Sequence, residues 1–409
     1  MPHDRIETTL RAALAALEAE GRLKGAETVI AGVLPAAGGR GPRYRVEGEG
    51  DRPFLRMNAN NYLGLSLHRA VVAAADEGVR SFGTGPGAVR FISGTWAPHL
   101  ALERRLAAFH GRAAAMVFSS AYAAMMGLLP PLVTPETAII SDALNHNCII
   151  NAVRLARPRE LHVYRHLDMG ELEAGLAAAA KSCRRAIVVS DGIFSMRGDH
   201  APLAAIAAIT RRHDAAFPEN VLTVIDDSHG VGALGATGRG TEEQTGAAAD
   251  ILVATLGKAF GVNGGYVAAS AAVVDYLRET SPYYVYSNPI APGEAAAAGA
   301  AVALVDGPDG PKLLAHLRAM TTRFKTGLGR LGFETIAGEH PIVPLMVRDG
   351  RRTAALVRHL RQHGILATGL SFPVVPSGDE EIRFQISADH TAADIDEALG
   401  VLAAFDAPA

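Results

Sequence analysis

The chain has 409 residues, 49% of them apolar, which is enough to bury one large core and a smaller one. Its 39 basic and 42 acidic side chains leave a formal charge of -3 with no basic or acidic block, so nucleic acid is not an expected partner. The two cysteines, Cys148 and Cys183, show neither CxxC spacing nor a His/Cys cluster, so neither a disulfide framework nor a structural metal site is expected.

Leu10, Leu14 and Leu17 recur at helical spacing behind Thr8 and Thr9, with Gly21 to close the run, so the chain should open on an amphipathic helix N-capped by those threonines. The start, Met-Pro-His-Asp-Arg-Ile-Glu, lacks the basic stretch and apolar core of a secretory signal. Apolar runs such as Ala291 to Val305 are Ala- and Gly-rich and interrupted, so no bilayer span and a cytoplasmic address are expected.

After a Gly- and Pro-rich passage from Pro35 to Gly50, short apolar runs alternate with helical patterns. Strands are predicted over Ala138-Ser141, Ala186-Ser190, Leu222-Ile225, Ile251-Ala254 and Tyr266-Ala268, and helices over Asn147-Leu155, Met169-Ala180 and Leu203-Arg212. That alternation predicts an α/β fold with a mostly parallel central sheet and helices on both faces. Past Pro292 an Ala-rich helical stretch runs to Val305. A strand (Ile342-Met346), a helix (Arg352-His363), a strand (Ile382-Ile386) and a helix (Ala392-Leu402) then predict a smaller C-terminal α+β lobe. The expected division is a helix and extension over 1–57, a large domain over 58–292 and a small domain over 293–409.

Ligands of open α/β sheets sit beyond the carboxyl ends of the strands, so the polar residues there are the informative ones. The run Leu222-Ile225 delivers Asp226-Asp227-Ser228-His229, a carboxylate that could hold a pyridine nitrogen protonated and an imidazole that could bond a ring hydroxyl. Alone, Asp226 could equally cap a turn. Ile251-Ala254 runs into Thr255-Leu256-Gly257-Lys258, where small neighbours favour a desolvated, nucleophilic amine, and Thr255 could meet a phosphate. A surface lysine on a Gly-bounded turn is the plainer reading. His146 could lie on an aromatic cofactor and Ser195 could reach a ring oxygen, although Asn145 and Ser195 also suit ordinary turns. Ser119-Ser120-Ala121-Tyr122 precedes a small-residue helix whose first amides could bind phosphate, or simply be capped.

Taken in order, Asn58 to Leu65, Val89 to Thr95, Ser141 to His146, Asp191 to Met196, Asp226 to His229 and Thr255 to Gly261 resemble the α-oxoamine synthases, over nearly the whole chain. Within that family the pattern is most similar to the glycine C-acetyltransferase branch, through Asn60 to Leu65, Ser287-Asn288 and Phe372-Pro373-Val374-Val375-Pro376. The resemblance implies the fold type I architecture of pyridoxal 5'-phosphate (PLP) enzymes, with residues 58–292 as the cofactor-binding domain. It implies an activity that joins an amino acid, best glycine, to an acyl-CoA, best acetyl-CoA.

It also implies roles: Lys258 as the cofactor-bearing lysine, Asp226 at the pyridine nitrogen, His229 at the phenolic oxygen and His146 stacked on the ring. Ser195 would reach the ring. Thr255 and the backbone of Ala121 and Tyr122 would hold phosphate, and Ser287 and Asn288 would reach in from the second subunit of a homodimer. Asn60 and Arg383 would grip the substrate carboxylate, Arg383 through its bidentate fork; an ion pair with Glu380 or Glu381 is the alternative for that arginine. Arg22 and Lys24 could meet coenzyme A phosphates, or be solvated charges. An aminotransferase or racemase of the same fold, another amino acid (alanine or serine) or a longer acyl chain remain open. A dinucleotide enzyme is disfavoured, because Gly83-Thr84-Gly85-Pro86-Gly87 is not GxGxxG.

Overall fold

Seven strands build the central sheet: β1 (Ala114–Phe118), β2 (Thr137–Asp142), β3 (Glu160–Tyr164), β4 (Arg185–Asp191), β5 (Val221–Asp226), β6 (Ile251–Thr255) and β7 (Gly265–Ala269). The computed structural model describes residues 3–20, 22–23, 25–372 and 374–405; Gly21, Lys24 and Pro373 lie outside the described residues. The strand order is β1-β7-β6-β5-β4-β2-β3. Neighbours from β6 to β3 pair in parallel, and β7 runs antiparallel to β1 and β6.

The expected mostly parallel sheet is thus found, and β2 is buried along its whole length, as a parallel strand covered on both faces must be. On one side Met125, Leu128 and Ile149, from the helices Ala121–Leu132 and Asn147–Ala156, share a core with Ile139, Ile187 and Val224. On the other, Leu172, Leu176 and Ile206, from Met169–Ala179 and Leu203–His213, pack with Ile140 and Val188. Each such side chain contributes about 1.5–3 kcal/mol by leaving water. The parallel strands all end on one side, so the loops leaving β2, β4, β5 and β6 gather there.

Two strands of this sheet escape the sequence reading for physical reasons. β1 is Ala-Ala-Met-Val-Phe, and alanine is a poor strand former. β3 is an edge strand whose residues are only partly buried until Tyr164, so its apolar signal is weak. The first helix corrects another expectation: it spans Asp4–Ala19, and Thr8 and Thr9 lie inside it, their hydroxyls donating to the carbonyls of Asp4 (2.8 Å) and Arg5 (3.0 Å) instead of capping it.

The chain forms two compact units. One, Asn60–Thr321 with Ala337–Pro341, carries the seven-stranded sheet. The other gathers the residues up to Ala59, Thr322–Ile336 and the chain from Ile342 onward, around an antiparallel sheet ordered Glu334–Thr335, Ile342–Met346, Glu381–Gln385, Thr368–Leu370. The boundaries differ from those expected. The N-terminal extension is part of the second unit, since Leu55 and Met57 donate to the carbonyls of Gly364 and Leu366 at 2.8 and 2.9 Å. The helix Pro292–Asp306 belongs with the large sheet because Gly293 packs against Gly78 of the helix Arg69–Phe82. A Cβ on Gly78 would come within 2.8 Å of the Gly293 Cα.

Candidate active site

The residues that follow β1, β2, β4, β5 and β6 line one cavity of about 220 Å³. Its floor is set by sheet register. β4 and β5 pair in parallel so that Asp191 stands beside Asp226, and both carboxylates are buried. Asp226 Oδ1 accepts the Ser228 amide (3.1 Å), and Cys148 Sγ donates to Oδ2 (3.5 Å). Asp191 accepts the His146 amide at 2.9 Å. Burial first, and then the charge of Asp226, push the Asp191 pKa well above the carboxylate range, against the pull of Lys258. Asp191 therefore holds a proton more tightly than an ordinary carboxylate. Cys148 is held as a neutral thiol, because burial and then Asp226 and Asp191 push its pKa up.

Lys258 is half-buried on the turn that leaves β6. Thr255 Oγ1 donates to the Gly264 carbonyl (3.1 Å) and accepts the Gly257 amide (3.0 Å), and the Gly261 amide donates to the Lys258 carbonyl (3.0 Å). Gly261 has φ +70° and approaches Ser66 so closely that a Cβ would lie 2.3 Å from its nitrogen. Thr255 lines the cavity, but its hydroxyl proton is committed to this turn, so its visible task is to hold the lysine segment.

His229 is buried and lines the same cavity. Its Nδ1 lies 2.7 Å from the hydroxyl of fully buried Tyr62, which also reaches Asn60 Oδ1 at 3.3 Å. His146 lines the cavity, and its Nδ1 accepts the Cys148 amide (3.2 Å). Desolvation lowers its pKa; Asp226 opposes that and Lys258 reinforces it. Neutral imidazole is the result. The helix Ala121–Leu132 starts at the cavity, where Ser120 Oγ caps the Ala123 amide (3.0 Å) and the amides of Ala121 and Tyr122 are among the four that a helix leaves without internal partners. Gly265 allows this: a Cβ there would sit 2.1 Å from the Ala121 nitrogen.

The structure therefore brings together Lys258, Asp226, His229, His146, Ser195, Thr255, Ala121 and Tyr122. Ser287, half-buried, and Asn288, exposed, do not line this cavity. Arg383 lies mid-strand in Glu381–Gln385, in the other compact unit, opposite Pro344 and Thr368. Three contributors had no assigned role: Asp191, Cys148 and Ser228. Asp191 ends an apolar run and Ser228 sits between Asp227 and His229, so their positions were a usable signal; the Cys148 contact is visible only in three dimensions. Asp227 instead serves the loop's framework. It is fully buried, bonded to the Thr241 hydroxyl (2.5 Å) and amide (2.7 Å), and burial pushes its pKa up to about 7.

One observation tests whether PLP suits this cavity. Ser228 Oγ is buried, lines it and has no hydrogen-bond partner among the described residues, a cost of about 1–3 kcal/mol unless a ligand meets it. An amine for an aldehyde, a carboxylate for a ring nitrogen, an imidazole for a phenolic oxygen and a helix N-terminus for a phosphate complete a fitting set.

The aminotransferase class I and II family model matches residues 52–402. The 8-amino-7-oxononanoate synthase of Geobacter sulfurreducens is 41% identical over 90% of this chain and 92% of its own length. The 2-amino-3-ketobutyrate coenzyme A ligase of Homo sapiens is 40% identical over 87% of this chain and 83% of its own. Among solved structures, serine palmitoyltransferase of Sphingomonas wittichii superposes with TM-score 0.86 at 27% identity, over 98% of this chain and 96% of that one. A serine palmitoyltransferase solved with PLP gives TM-score 0.86 at 25% identity, over 98% and 97%.

Proposed function

Since this chain belongs to the α-oxoamine synthases, within the class I and II aminotransferase family, and is a PLP-dependent C-acyltransferase of fold type I, we propose that it joins glycine to acetyl-CoA. The product is a 2-amino-3-keto acid, or the aminoketone left after carbon dioxide is lost, and coenzyme A is released. The observation that supports it most is the convergence of Lys258, Asp226, His229 and His146 on one cavity of about 220 Å³, a volume suited to the cofactor ring and a small amino acid.

Bound PLP supplies an aldehyde that captures amines and a ring that accepts electron density from the α-carbon. Lys258 Nζ would hold it at rest and, when its amine is free, would be the base for the α-proton. The carboxylate of Asp226, buried at the floor of the cavity beside Asp191, would hold a proton on the ring nitrogen. His146, which lines the cavity, would assist at the thioester oxygen as charge develops there, and the amides of Ala121 and Tyr122 would meet the phosphate. The role of Arg383 in gripping the substrate carboxylate rests on the sequence blocks alone.

A homodimer is part of the proposal. Ser287 and Asn288 are placed outside their own chain's cavity, and Phe91, Ile92 and Tyr286 in the same unit are exposed at 68, 67 and 78%, offering apolar surface to a second copy. A second specificity, alanine with a longer acyl-CoA, is favoured by the 41% identity to 8-amino-7-oxononanoate synthase. A thiol-release assay across glycine, alanine and serine with acyl-CoAs of increasing length separates the two. Fastest release with glycine and acetyl-CoA supports the proposal; preference for alanine and a long chain replaces it. Keto-acid exchange without thiol would indicate an aminotransferase.

A further inference from the structure

Resting on that cofactor site, we infer that Tyr62 is a positioning residue that fixes which nitrogen of His229 bears hydrogen, and so what the imidazole presents to the cavity. Tyr62 is not among the residues that line the cavity; it stands behind His229, which is. It is fully buried, and its hydroxyl makes two contacts of unequal length: 2.7 Å to His229 Nδ1 and 3.3 Å to Asn60 Oδ1. A phenol has one proton, and the shorter contact has the better claim on it. With that proton donated to Nδ1, a neutral imidazole carries its hydrogen on Nε2 and offers a donor to an anionic oxygen in the cavity.

The remainder of His229 is held from elsewhere. His340 Nε2 donates to the His229 carbonyl at 2.9 Å, and its ring stands edge-on to Tyr62 at 5.3 Å and 82°. His340 fixes the backbone; Tyr62 fixes the proton.

The distinction can be measured in the holoenzyme through the pH midpoint of its visible absorption change. Tyr62→Phe frees His229 to change tautomer and withdraws a donor from the phenolic oxygen, which then holds its neighbouring proton more tightly. The midpoint should rise by about 0.5 pH unit or more, with kcat down about tenfold for one lost hydrogen bond. His340→Phe removes the bond to the His229 carbonyl and leaves the Tyr62 hydroxyl in place, so the midpoint should not move. A ¹⁵N-histidine spectrum of the wild-type holoenzyme, with the signal assigned by His229→Gln, should show Nδ1 as the unprotonated nitrogen, and this reading stands even if Tyr62→Phe does not fold. An unmoved midpoint in folded Tyr62→Phe, equal shifts in both variants, or a hydrogen on Nδ1 would overturn the inference. Yellow colour in wild type with added PLP checks the cofactor reading separately, so a coloured wild type with an unmoved variant sinks this inference alone.

Discussion

The two ends of β5 make opposite use of polar residues. At its start lies the larger space, a cavity of about 670 Å³ lined by Thr210, Asp214, Asn220 and Asp250. Its polar groups are spent on the chain itself: Asp214 accepts the Val221 amide and the Asn220 side chain, both at 2.9 Å, Asp250 accepts the Thr223 amide at 2.7 Å, and Thr210 bonds the Ala207 carbonyl. At its finish the space is a third as large, yet it holds two adjoining carboxylates, one of them with its pKa pushed well above the carboxylate range, and a buried hydroxyl with no partner among the described residues. Volume therefore does not mark the site. Groups left chemically unsatisfied by the protein do.

Substitutions at the two ends should separate cleanly. The largest effect is expected for Lys258→Ala, which should lower thiol release by about 10⁴-fold or more while circular dichroism shows an intact fold. Asp226→Asn removes the carboxylate charge at the floor and should cost about 10²-fold or more in kcat, read in the same assay. Asp250→Ala, at the other end, should lower unfolding free energy by about 1 kcal/mol and leave turnover per folded molecule unchanged; a comparable loss of turnover would break the contrast.

The smallest effect concerns His166, which bridges Asp142 (3.1 Å) and Asp199 (3.2 Å), residues that flank the loops after β2 and β4. Desolvation lowers its pKa, but the bonds and charges of Asp142 and Asp199 outweigh it and raise the value from 6.5 to about 9. The folded state thus binds this proton more tightly than the unfolded chain. Its stabilisation is complete below about pH 6.5 and is lost as pH rises through about 9. Thermal midpoints scanned against pH should decline over that window in wild type and decline less in His166→Asn.

Much of the carboxyl-end site was legible in the sequence. The five strands expected from apolar runs exist, and the strand-end residues Asp226, Lys258 and His146 meet where parallel topology sends them. What stayed hidden depends on register and on distant pairings. The raised pKa of Asp191 follows in part from the alignment of β4 with β5, which sets it beside Asp226, and neither strand announces its partner. The Tyr62 bond to His229 joins residues 167 apart, for which no spacing rule exists. Thr8 and Thr9 misled because a threonine near a helix start looks the same whether it caps the helix or bonds back within it. The unit boundary after Pro292 misled because the close packing of Gly78 on Gly293 leaves no local mark in either segment.

The central claim is that the amine of Lys258 holds the cofactor above Asp226. Borohydride reduction of the PLP-loaded protein, followed by peptide mass spectrometry, tests it most directly. A pyridoxyl adduct on the peptide containing Lys258, absent from Lys258→Ala, is the predicted result. An adduct on another lysine, or no adduct in protein that has been supplied with PLP, would contradict the account.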